Sequence, residues 1–131
     1  MSINGSFRFH PVGQGLFYTG LLSRVGGGSF SFVYDCGTMS DQQFLRREID
    51  DFKLLLPHAS RRTRRLDLLV VSHMHDDHVS GLEYLLENLE VDTVVIPCTD
   101  QVTSLLARLE SSGDDDFLRL FYADPVDWLS S

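Results

Sequence analysis

The stretch that decides the fold is Leu66-Asp67-Leu68-Leu69-Val70-Val71-Ser72-His73-Met74-His75-Asp76-Asp77-His78-Val79-Ser80-Gly81-Leu82. Its first part is a short apolar run, the pattern of a buried strand such as parallel sheets use. Its end opens an amphipathic helix whose stripe is Leu82, Leu85, Leu86 and Leu89. Three imidazoles and the Asp77 carboxylate lie between them, within His73–His78. Loops at the carboxyl ends of strands are where α/β sheets place their sites. In extended chain, side chains two apart share a face, so His73 and His75 can hold one cation from one side. Asp77 and His78 fall where the chain turns into the helix and can aim at a second point nearby. Imidazole nitrogen with carboxylate oxygen suits zinc, and also manganese or iron.

Upstream the pattern is that of strands. Phe7 and Phe9 alternate with Arg8 and His10, as in a half-buried strand. Gly13-Gln14-Gly15 interrupts, Leu16 to Val25 resumes, Gly26-Gly27-Gly28 turns the chain, and Ser29 to Tyr34 returns towards Asp35-Cys36-Gly37-Thr38. Ser40 is the expected cap of a helix carrying Leu45, Ile49, Phe52 and Leu56 on one stripe and ended by Pro57. Arg61, Arg62, Arg64 and Arg65 then precede the decisive strand, at the end opposite its ligands. Downstream, Val91 to Pro97 forms the next strand. Thr99 or Asp100 caps a helix to about Glu110, and a last helix covers about Asp115 to Ala123. A hairpin region followed by alternating helices and strands predicts an α/β fold, a mixed sheet flanked by helices.

At 131 residues the chain has the size of one domain, spanning 1–131. Its 43% hydrophobic and 23% charged residues exclude wholesale disorder. The formal charge of -8 excludes long-range attraction of the whole chain to nucleic acid or an anionic membrane. No apolar run approaches the roughly 18–20 residues that span a bilayer, so no membrane partner is expected. MSINGSFRFH lacks the layout of a signal peptide, which makes the cytoplasm the expected location. Cys36 and Cys98 do not make a disulfide framework and are expected to be structural. His10 is assigned to a strand face and His58 to a surface loop. The acidic run Asp114-Asp115-Asp116 is assigned to a helix N-terminus.

His73, His75, Asp77 and His78 match the His-x-His-x-Asp-His signature of the metallo-β-lactamase-fold hydrolases. Leu66–Ser72 and Val79-Ser80-Gly81-Leu82 resemble that family's flanks. Val12-Gly13-Gln14-Gly15 and Tyr34-Asp35-Cys36-Gly37 resemble its early glycine turn and its Asp-x-Gly strand end. Together they are most similar to the branch containing the hydrolase domain of bacterial competence DNA-uptake channels. The resemblance covers roughly residues 7–97.

It implies an αββα sandwich with two zinc ions at one edge. His73 and His75 would hold the first metal, and Asp77 and His78 the second. Asp77 would be the catalytic carboxylate that orients the attacking hydroxide. Asp35 would lie beside the site and accept a ligand histidine's other N–H, which fixes the tautomer. The implied activity is metal-dependent hydrolysis of nucleic acid or another phosphodiester. A thioester hydrolase of the glyoxalase type is an alternative, as is a catalytically incomplete module that assembles with a partner chain. The family completes its site with a histidine, a bridging aspartate and usually a final histidine from the second half of the domain. No histidine follows His78 here. The expectation is therefore the N-terminal half of the sandwich, incomplete at the C-terminus. The missing ligands would come from a partner or a continuing segment, and the chain would form a homo-oligomer or bind that partner.

Overall fold

The structure, a computed structural model, describes residues 2–97. Three antiparallel strands come first: β1 (Ile3–Phe9), β2 (Gly15–Arg24) and β3 (Ser29–Thr38). Then follow α1 (Gln42–Lys53), β4 (Arg64–Val70), the short helices α2 (Asp76–Val79) and α3 (Leu82–Leu86), and β5 (Leu89–Val95). They build one five-stranded sheet in the order β1-β2-β3-β4-β5, with β4 parallel to both β3 and β5. Both parallel pairs are joined through helices, which is the connection that parallel pairing requires. The result is the mixed α/β architecture expected of a partial metallo-β-lactamase fold.

Gly26, Gly27 and Gly28 all have positive φ, so the β2–β3 turn takes a path that side chains resist. On α1, Leu45, Ile49 and Phe52 face inward, and Leu56 just beyond the helix is buried with them. They meet Phe17, Val33, Leu66, Leu69, Leu82 and Leu85 in one core.

Three local expectations are corrected. The cap of α1 is Asp41, whose carboxylate accepts from Gln43 N at 2.9 Å, because the Ser40 hydroxyl is taken by Gln14 N at 2.9 Å. The stripe from Leu82 to Leu89 is not one helix. The helix stops at Leu86, Glu87 turns extended with ψ 124, and Asn88 at a left-handed φ of 52 leads into Leu89, the first residue of β5. β1 is exposed along its whole length rather than half-buried. As the edge strand it has one neighbour, and Phe7 and Phe9 lie on a side where their ring partners are themselves partly exposed: Phe9 stacks on Tyr18 with centroids 4.3 Å apart, and Phe7 leans on Phe32 at 6.2 Å. Cys98, the helices assigned after Thr99 and the acidic run at 114–116 lie outside the described residues.

Candidate metal centre

The site begins with an irregularity in β3. Phe17 pairs with Cys36 while Tyr18 pairs with Tyr34, so Asp35 is an extra residue with no partner across the ladder. Its φ is 60, a left-handed conformation that aspartate tolerates better than most side chains. A bulge of this kind re-aims a side chain. Here it turns a fully buried carboxylate towards the end of β4.

A buried carboxylate is costly unless its oxygens are hydrogen-bonded. Asp35 accepts three donors. Ser72 N donates to Oδ1 at 2.6 Å, and the Ser72 hydroxyl and His78 Nδ1, the latter at 2.7 Å, both reach Oδ2. Among the described residues no buried side-chain nitrogen or oxygen lacks a partner.

The helix carrying His78 is seated just as tightly. A Cβ on Gly37 would lie 2.5 Å from Asp76 O and 2.6 Å from Val79 N, so α2 can rest on β3 only because Gly37 has no side chain. Ser80 and Gly81 tie the far side: Thr38 N donates to Ser80 Oγ at 2.9 Å, and Gly81 N to Cys36 O at 2.8 Å.

Along the loop, Met74 is buried while His73 and His75 face solvent on either side of it, as the alternation of extended chain predicts. His75 is the N-cap of α2, and its carbonyl accepts from His78 N at 2.9 Å. That turn brings the His73 and His78 rings together, with centroids 4.8 Å apart, a contact the spacing of the motif does not reveal. Ligand atoms of Asp35, His73 and His78 all lie within 4.8 Å of one another. His75 is outside that group. Asp77 approaches it through His78, with Oδ2 lying 3.4 Å from Nε2. Imidazole nitrogens beside carboxylate oxygens are the donor types that zinc takes, so the chemistry of the cluster suits a metal of that kind.

The model of the metallo-beta-lactamase superfamily matches residues 20–103, well over half of the chain. The chain belongs to the metallo-beta-lactamase superfamily. No curated protein and no solved structure matches it significantly. Membership carries metal-dependent hydrolase chemistry at the level of the superfamily, and the Asp35, His73 and His78 cluster gives this member a candidate place for the metal.

Other polar residues of this superfamily member are accounted for elsewhere. Cys36 is buried, and burial followed by the nearby Asp35 charge pushes its thiol far up, so it offers no thiolate. His58 is exposed in the loop before β4. Arg64 donates to Leu56 O at 2.7 Å, and Arg65 is bound to Asp92 and Asp67. Arg61 and Arg62 remain exposed. Sequence reasoning missed Ser72, whose only signal was its place immediately before the histidines. No helix among the described residues is long and apolar enough to cross a membrane.

Proposed function

We propose that this protein is a phosphodiesterase acting on nucleic acid or a related phosphodiester, with His73, His75, Asp77 and His78 as its metal ligands. The observation that carries the reading is the bonding of His78. Its Nδ1 is 2.7 Å from the buried Asp35, and its Nε2 faces Asp77 Oδ2 at 3.4 Å. One nitrogen is thereby held by the protein and the other is left beside a carboxylate, the arrangement a metal-ligating imidazole needs. Zinc suits these donors best, with manganese or iron also compatible.

When bound, the metal supplies a Lewis acid and lowers the pKa of a water from about 16 towards 7. The chain's own residues do the positioning. Asp35 fixes the His78 ring, and buried Met74 anchors the loop between the two exposed histidines. Asp77, partly exposed, orients the attacking water and accepts its proton on a carboxylate oxygen. Exposed His73 and His75 leave the site open enough for a polymer. Arg61 and Arg62 lie beyond the other end of β4, about 20 Å away, where they suit the phosphates of a long substrate. The resemblance of the glycine turn and the His loop to the DNA-uptake branch supports the same substrate class. The proposed location is the cytoplasm.

The test is metal analysis of the purified protein beside His75→Ala and Asp77→Ala. About two ions per chain, lost in both variants, is expected of a completed site. No metal in the unaltered protein sinks the reading. Hydrolysis is then assayed on single-stranded DNA, RNA and a thioester. Cleavage of the thioester alone moves the protein to the glyoxalase type.

A second reading is favoured by the outer face of β1–β3, where Phe7, Phe9, Phe30 and Tyr34 are exposed together. In it the fold is a non-catalytic module that assembles with a partner, which would also supply further ligands. Retained metal without any hydrolysis, together with a stable oligomer, selects this second reading.

A further inference from the structure

Ser72 has one hydroxyl proton and two polar neighbours. It donates that proton to Asp35 Oδ2, an oxygen that can only accept. The same Ser72 Oγ lies 2.9 Å from His73 Nδ1. With its proton already given, Oγ can only accept there, so Nδ1 of His73 must carry the hydrogen. The Ser72 backbone N–H also donates to Asp35, to Oδ1 at 2.6 Å, so the residue is held against the carboxylate at two points.

We propose that Ser72 is a positioning residue that relays the Asp35 carboxylate to His73 and sets its Nδ1–H tautomer. His78 is set the same way by direct contact, its Nδ1 being 2.7 Å from Asp35 Oδ2. One buried carboxylate thus orders two imidazoles whose ring centroids are 4.8 Å apart, and leaves each with its Nε2 as the lone-pair nitrogen. The relay is needed more at His73, which is exposed, since a neutral imidazole in water favours the Nε2–H form. Without Ser72 that ring would offer the other nitrogen. The inference rests on the metal-ligand reading for its purpose, but the tautomer is a property of the metal-free chain.

The experiment uses the full chain, free of metal, at about pH 8, above the ordinary imidazole pKa. Two-bond proton–nitrogen correlation spectra of the histidine rings read each tautomer directly. The expected result is Nδ1–H at both His73 and His78. Ser72→Ala converts His73 to mostly Nε2–H and leaves His78 unchanged, while Ser72→Thr, which keeps a hydroxyl, restores the Nδ1–H form. Zinc affinity, measured by competition with a chromophoric chelator, falls about tenfold in Ser72→Ala and recovers in Ser72→Thr.

His73 in the Nε2–H form in the unaltered protein overturns the relay, as does a His73 tautomer indifferent to Ser72→Ala. The two ideas fail separately. Zinc binding with an unresponsive His73 sinks only the relay, whereas a responsive His73 in a chain without zinc affinity sinks only the ligand reading.

Discussion

Two histidines in this chain each have one ring nitrogen on a carboxylate, yet they are built for opposite ends. His10 follows β1 and stacks on Phe17 with centroids 4.2 Å apart. Its Nδ1 meets Glu48 Oε1 at 3.1 Å and its Nε2 meets Thr19 Oγ1 at 2.8 Å, so both nitrogens are consumed by the protein. His78 gives only Nδ1 to its carboxylate, and its Nε2 faces Asp77. The side chains differ accordingly, His10 being 5% exposed and His78 20%. What distinguishes a core histidine from a candidate ligand is therefore not burial beside an acid, which both have. It is whether the second nitrogen ends on a protein group or at an open carboxylate.

The sharpest way to break this comparison is to remove the Asp35 acceptor. Asp35→Ala leaves Ser72 N, Ser72 Oγ and His78 Nδ1 without their partner. The expected loss is about 3–5 kcal/mol in urea denaturation. Asp35→Asn keeps the shape and tolerates the left-handed backbone, so most of that stability should remain, while zinc affinity falls about 10–100-fold. Equal metal binding in Asp35→Asn would show that the charge on Asp35 does not matter to His78.

This contrast also marks what the sequence makes legible. The His73–His78 loop can be read because its chemistry is contiguous and lies between a strand pattern and a helix pattern. Asp35 is found through its Asp-x-Gly context. The bulge that turns Asp35 inward is not readable, since it depends on the pairing of Phe17 and Tyr18 with a distant strand. Ser72 is unreadable for the same reason, as its partner is 37 residues away in sequence. Alternation identified β1 as a strand but could not say that it would lie at an edge with Phe7 and Phe9 outside the core. The helical stripe through Leu89 misled because four leucines at helical spacing outweigh one asparagine in the pattern, whereas the backbone leaves the helix at Glu87 and turns through Asn88.

A second break acts on the seat of α2 rather than on its side chains. Gly37→Ala places a methyl against backbone atoms that have no rotamer to escape into, the nearest being Asp76 O at 2.5 Å. The expected cost is about 3 kcal/mol, with α2 displaced and zinc affinity reduced although every candidate ligand is still present. Unchanged zinc affinity in a destabilised Gly37→Ala protein would mean that the loop holds its geometry without β3.

Adding the metal sharpens the comparison from the other side. Zinc at about one hundred times its dissociation constant should stabilise the chain by about 2.7 kcal/mol. His78→Ala should abolish that gain, and His10→Gln should leave it whole. A gain lost in His10→Gln would mean that the two histidines are not separate in role.

The smallest effect belongs to His10 and is one of pH. Burial lowers its pKa below the ordinary 6.5, outweighing the opposing pull of Glu48 and Asp51, while Arg8 acts with burial. The unfolded chain takes up a proton on this imidazole near pH 6.5, and the folded chain does so only in more acid solution. Between those points the unfolded state binds more protons, so stability that is full above about pH 6.5 declines as the pH falls. The slope from this one group cannot exceed about 1.4 kcal/mol per pH unit. The quantity to measure is the difference between the unaltered chain and His10→Gln in urea denaturation at stepped pH, which isolates this one imidazole. His10→Gln should remove part of the decline. If both proteins lose stability in parallel as the solution is acidified, the Glu48 contact offsets burial and His10 is charged inside the fold.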